Sequence, residues 1–283
     1  MDEFSWVFLA GFFLFGLIVG SFLNVVIYRL PLMLERAWTI QARVQLDMPI
    51  PGEESEPFTL AYPPSHCPVC KAEIKPWSNI PIISFLLQKG RCAGCHTPIS
   101  WQYPLVELLT GLLFAAVYWQ FGWSWQALSG VLFVSFIVPM IFIDAKTQLL
   151  PDILTLPFLW LGLLFNIPEH SFVSLPAAVW GAVIGYMSLW IIFQIFKLFT
   201  GKEGMGFGDF KLLAALGAWF GAISLPVIAL LASVIGLIFA VMMKVGKGQP
   251  MPFGPCLALA GWLLLMWYEP ILNAFFNLIN GIS

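Results

Sequence analysis

Apolar residues run in long blocks along this chain, and polar residues gather in the gaps between them. The blocks fall at roughly 4–28, 102–119, 125–143, 150–167, 171–196, 210–223, 224–243 and 251–268. A helix needs about 20 predominantly apolar residues to cross a bilayer, so the pattern predicts about eight membrane helices. Block 210–223 is the shortest, and the count becomes seven if 210–243 is a single span. One polar stretch, 29–101, interrupts the pattern and reads as a small soluble insert. Within it, 47–66 (DMPIPGEESEPFTLAYPPSH) is Pro-rich and predicts an irregular loop. The expected class is an all-α polytopic membrane protein. Its organisation is a first transmembrane helix at 1–28, an insert at 29–101 and a seven-helix membrane bundle at 102–283.

Composition agrees. Of 283 residues, 60% are hydrophobic and only 10% charged, and the mean hydropathy is +0.88. A soluble domain carries about 25% charged residues, so lipid must be the solvent for most of this chain. The net charge of -2 and the lack of a basic patch give no footing for nucleic acid. The first block begins with the acidic Asp2 and Glu3 and is too long for a cleavable signal sequence, so it is expected to stay as an anchor.

Where the charges sit is more informative than their sum. The thirteen Lys and Arg fall on alternate connections only. Seven lie in 29–101 (Arg29, Arg36, Arg43, Lys71, Lys75, Lys89, Arg91). The others are Lys146, then Lys197, Lys202 and Lys211, then Lys244 and Lys247. The positive-inside rule then places the insert in the cytoplasm and both termini outside. Trp119, Trp123 and Trp125, with Trp267 and Tyr268, fit an interfacial aromatic belt. Glycine pairs at Gly16/Gly20, Gly181/Gly185 and Gly217/Gly221 predict close helix packing.

Chemistry concentrates in two places. Cys67-Pro-Val-Cys70 and Cys92-Ala-Gly-Cys95 are paired CxxC turns at a spacing that matches a four-thiolate zinc site. Such a closed shell would make the metal structural. Two disulfides are disfavoured in a reducing cytoplasm, and an iron–sulfur cluster stays open. His66 and His96 flank the cluster and are read as surface or supporting residues. Cys256, in an apolar run, reads as a buried hydrophobe.

The second place is a set of carboxylates at the ends of apolar blocks: Glu107, Asp144, Asp152 and Asp209. Ionisable groups at membrane depth are functional candidates by default. Asp144 ends a long apolar run, where a helix C-terminus disfavours an anion. Asp209 ends Gly206-Phe207-Gly208-Asp209 and is either an N-cap or a functional group. Asp152 reads as a cap or a structural partner, and Glu107 as a helix-packing group or a substrate ligand. Two carboxylates brought together can share one proton and hydrolyse a peptide without metal.

These residues resemble the bifunctional type IV prepilin peptidases, the leader peptidases/N-methyltransferases of pilus and type II secretion systems. The resemblance rests on several motifs in order: GSFLNVVIYRLP at 20–31, the two CxxC pairs, YPLVE at 103–107, Asp144 followed by Leu150-Pro151-Asp152, GFGD at 206–209 and PFGP at 252–255. It implies an aspartyl protease of the bacterial inner membrane with Asp144 and Asp209 as catalysts. It implies prepilin or pseudopilin substrates, cut at the cytoplasmic face. It also implies N-methylation of the new N-terminus, usually Phe, from S-adenosylmethionine, with the insert at 29–101 as the methyltransferase part. The donor-binding residues are not identifiable, since no strand–GxGxxG–helix pattern is present. Competing readings are an ion-coupled transporter using Asp144 and Asp209 as a relay, a non-enzymatic assembly factor, and a presenilin-like GxGD protease. Glu53, Glu54 and Glu56 are expected to attract a basic leader weakly.

Overall fold

The computed structural model describes residues 3–50, 52, 57–168, 171–202, 204–242 and 251–281. Asp2, Glu53, Glu54, Glu56, Lys244 and Lys247 lie outside the described residues. The chain divides into two compact units, Met1–Gly122 and Trp123–Ser283.

In the first unit, α1 (Glu3–Gln45) and α3 (Gln102–Phe121) pack against each other, with a short helix α2 (Ile83–Leu87) in the insert between them. Two glycines set the α1–α3 spacing. A Cβ on Gly16 would lie 2.8 Å from Gly111 Cα, and one on Gly20 would lie 2.8 Å from Glu107 Cα. In lipid, where apolar burial drives little, such backbone contact is a main source of helix association. α1 does not stop at position 28. It continues through Pro31 to Gln45, so the insert begins as a helical extension of the first span. Arg29 ties the extension to the following loop by donating to the carbonyls of Thr59 (2.9 Å) and Pro63 (2.7 Å). Phe58 lies under Arg36, 4.4 Å from ring centre to guanidinium.

The second unit contains α4 (Trp125–Thr147), α5 (Asp152–Phe165), α6 (Leu175–Thr200), α7 (Phe207–Phe220), α8 (Leu225–Met242), α9 (Gly254–Met266) and α10 (Tyr268–Asn280). Its centre is α7, where Phe210 and every residue from Leu212 to Phe220 is buried. Gly181 of α6 and Gly217 of α7 meet backbone to backbone, leaving no room for a Cβ on either. Aromatic rings fill the rest. Phe133 stands perpendicular to Trp219 at 5.1 Å, and Phe158 stacks on Trp219 at 5.4 Å. Asn166 closes the end of α5 against the end of α7. Its amide donates to the carbonyls of Gly162, Ala218 and Trp219, and its oxygen accepts from Val173 N–H.

Every predicted apolar block is helical, but not every helix is long enough to cross. Among the described residues, five helices meet the length and hydropathy of a span, and a sixth counts if α9 and α10, bent by 103°, form one. α5 and α7 have 14 residues each, or about 21 Å, against a hydrocarbon thickness of about 30 Å. Enclosure by other helices removes the need for α7 to match lipid along its length.

Candidate active site and metal centre

Asp144 sits near the end of α4 and is only 5% exposed. The helix ends just beyond it at Gln148, which takes a left-handed φ of 53° and donates its N–H to the Asp144 carbonyl at 2.9 Å. The carboxylate atom Oδ2 is buried with no hydrogen-bond partner among the described residues. Such an atom is costly unless something fills the need.

Asp209 lies in the first turn of α7, whose cap is Gly206. Asp209 is therefore not the N-cap, although the N-terminal dipole still favours its charge. Asp144 and Asp209 line one cavity of about 310 Å³ together with Leu150, Asp152, Gly208 and Lys211. Two glycines let the backbone come this close. A Cβ on Gly208 would lie 2.7 Å from Leu150 Cβ, and one on Gly254 would lie 2.6 Å from Asp144 Oδ2. Asp152 starts α5 and receives Lys211 Nζ at 2.6 Å. It sits at the cavity's edge in this ion pair, and the N-cap of α5 is Pro151 and not Asp152.

The four cysteines of the insert converge. All are free thiols, and their sulfurs lie within 4.8 Å of one another. Cys67 Sγ is 3.8 Å from Cys95 Sγ, and Cys70 Sγ is 3.9 Å from Cys92 Sγ. Tetrahedral Zn–S bonds of about 2.3 Å require sulfur–sulfur edges near 3.8 Å, so the cluster fits zinc. The two knuckles are built alike. Cys67 N–H donates to the Ala72 carbonyl and Cys92 N–H to the Thr97 carbonyl, each at 2.9 Å. Lys71 and His96 occupy equivalent left-handed positions, with φ of 60° and 59°. His96 is thus the turn residue of its knuckle. Hydrogen bonds from Thr97, first its hydroxyl and then its N–H, hold the Cys95 thiol down to about 6. The N–H groups of Cys70 and Val69 lower Cys67. Both effects favour the thiolate form that a metal needs, while Cys70 moves the other way: the Ala72 N–H lowers it, but the Cys95 sulfur and burial outweigh this and push it up to about 11.

Glu107 belongs to the first unit. It is 7% exposed, and its Oε2 accepts the N–H of Ile82 at 2.8 Å. Asn24, one helical turn beyond Gly20, donates to the Tyr103 carbonyl at 3.0 Å, while its own Oδ1 is buried without a partner. The sequence reading missed Asn24 as a candidate, though an amide inside an apolar block is itself a signal. It also missed Gly254 as a neighbour of Asp144, which only the fold reveals. Among the described residues there is no β-strand, only two isolated bridges, His66–Glu73 and Arg91–Pro98. They offer no strand–glycine-loop–helix unit for a nucleotide.

Residues 14–121 match the bacterial peptidase A24 N-terminal domain, and residues 131–241 match the type IV leader peptidase family. The chain is 54% identical over 259 residues to the prepilin leader peptidase/N-methyltransferase of Neisseria gonorrhoeae, covering 92% of this chain and 90% of that one. Proteins of the same name from Stutzerimonas stutzeri and Pseudomonas aeruginosa are 51% and 50% identical, over 92% and 93% of this chain and 91% of each relative. No solved structure matches the chain. Identity at this level over nearly the whole length, with both family domains in order, means that the protein belongs to the type IV leader peptidase family.

Proposed function

We propose that the protein cleaves the leader peptides of type IV prepilins or pseudopilins with Asp144 and Asp209 as the catalytic pair, then N-methylates the new N-terminus. The observation that carries the protease assignment is the shared cavity: two carboxylates from different helices, α4 and α7, face one space. Two carboxylates facing one space resist ionising together, so in this reading the pair holds one proton between them. The ionised carboxylate draws a proton from water as it attacks the scissile carbonyl, and the protonated one donates to the carbonyl oxygen. Lys211 and Asp152 neutralise each other at the edge. A transporter relay is less well supported, since both aspartates lie at helix ends rather than at mid-span.

Zinc held by Cys67, Cys70, Cys92 and Cys95 would be structural, because four thiolates leave no coordination position open. S-adenosylmethionine supplies a methyl group activated on a sulfonium. The charge pattern supports an inner-membrane location with periplasmic termini and the insert in the cytoplasm.

The test is cleavage of a purified prepilin by purified variants. Asp144→Asn and Asp209→Asn should each lower the rate by about 10²–10⁴-fold with zinc content unchanged. Near wild-type processing by either variant removes the shared-proton assignment.

A further inference from the structure

Within the first unit, buried polar groups collect where α1 and α3 meet the insert. Position by position, the two helices face each other: Gly16 with Gly111, Gly20 with Glu107, Asn24 with Tyr103. Glu107 and Asn24 therefore sit one turn apart across the interface. Both offer acceptors. Asn24 Oδ1 is buried and unpartnered although the residue is only 3% exposed. No Lys or Arg forms an ion pair with Glu107 among the described residues. Arg29, the buried cation among this unit's described residues, is committed to the carbonyls of Thr59 and Pro63.

Asn24 Oδ1 is a buried acceptor without a donor, and Glu107 is a buried carboxylate that Ile82 N–H and Ser21 answer with hydrogen bonds but no cation answers among the described residues. The group that answers both is a cation with several N–H donors, and a primary ammonium has three. Glu107 also pins the insert at a strained point. Ile82, which donates to it, has φ 60° and ψ −48°, a conformation that β-branched residues rarely adopt. Strain of this kind persists where the surroundings fix it, often at functional sites.

We infer that Glu107 and Asn24 receive the new N-terminal α-ammonium of the cleaved peptide, and that Glu107 takes its proton for methyl transfer. This rests on the methyltransferase reading above. The ammonium gives one proton to the Glu107 carboxylate, which frees a nitrogen lone pair to attack the sulfonium methyl carbon. The C–N bond forms as the C–S bond breaks, and its electron pair stays on sulfur. Glu107 later releases its proton to water. The methyl donor carries an ammonium of its own, but beside a carboxylate that Glu107 would repel. The peptide's ammonium has no such neighbour and is followed by an apolar segment suited to two membrane helices.

The experiment uses the full-length protein in nanodiscs and a short synthetic peptide of the mature substrate, with its amino terminus either free or acetylated. Binding is read by fluorescence anisotropy without methyl donor. The wild type should bind the free amine tighter by on the order of 10-fold or more. Glu107→Gln, which keeps an acceptor for Ile82, should bind both peptides equally and still hold zinc. A purely structural role would weaken both peptides alike and overturn the inference. Retained preference for the free amine in Glu107→Gln would also overturn it. So would Glu107→Gln losing S-adenosylmethionine in equilibrium dialysis, which would assign the acceptors to the donor's ammonium. In parallel, wild-type protein that transfers no labelled methyl group to the free peptide would defeat the methyltransferase reading itself, separately from the ammonium preference.

Discussion

Helices in both units close on glycines, but what those helices enclose differs. In the Trp123–Ser283 unit, α6 and α7 meet at Gly181 and Gly217, and the space around them is filled by Phe133, Phe158 and Trp219. In the Met1–Gly122 unit, α1 and α3 meet at Gly16 and Gly20, then give way to a polar end where Asn24, Arg29 and Glu107 reach insert backbone or facing carbonyls. The insert beyond α1 has little apolar interior: Ile83, Leu86 and Leu87 of α2 are all exposed, and Cys67 is the buried apolar residue among those described there. The second unit is held by packing throughout, whereas the insert of the first is held by a cysteine cluster and backbone hydrogen bonds. An apolar bundle gives two carboxylates a fixed separation, whereas a clamped loop gives a site its shape through local turns.

The widest gap between the units should appear on removing zinc. Structural zinc sites of small domains contribute about 10–16 kcal/mol of binding free energy to folding. Chelation, or Cys95→Ser, should expose residues 57–101 to limited proteolysis and abolish methyl transfer while leader cleavage falls far less. Equal loss of both activities would show that the units do not act separately. Next in size is the glycine contact. Gly217→Val should destabilise the second unit by about 1–3 kcal/mol or more, lowering thermal stability and cleavage together. Gly16→Val, at the looser contact of 2.8 Å, should cost less and spare cleavage. Smallest is Asp152→Asn. The Asp152–Lys211 pair is partly exposed, with side chains 57% and 29% accessible, and such pairs contribute about 0.2–1 kcal/mol. Cleavage by Asp152→Asn should stay close to wild type, and a drop like that of Asp144→Asn would move Asp152 into the catalytic set.

The sequence made much of this legible. Each apolar block became a helix because lipid demands that backbone groups be satisfied within the segment. The paired CxxC turns predicted their own convergence, since local geometry presents both sulfurs of each turn. Hydropathy reports lipid contact and not helicity, so it could not see α1 run past Pro31 into polar sequence. Nor could it see the bend at Trp267, where two apolar helices turn by 103°. Asp144 stood out because its helix end offers an anion no benefit. Gly254, Asn24 and Asn166 did not, because their roles depend on partners far along the chain.

The shortness of α5 couples the enzyme to its solvent. With 14 residues, α5 falls roughly 9 Å short of an average hydrocarbon core, and the aspartate cavity lies at the end where it begins. A leaflet that thins to meet α5 does so at a modest elastic cost for each ångström of mismatch. That dimple brings headgroup water down to the carboxylates and holds the substrate's helix end at the same depth. Bilayer thickness thereby becomes a rate-setting variable, much as viscosity is for a diffusing reaction. Cleavage in nanodiscs should slow as lipid acyl chains lengthen, and a rate indifferent to chain length would show that the protein supplies its own wetting.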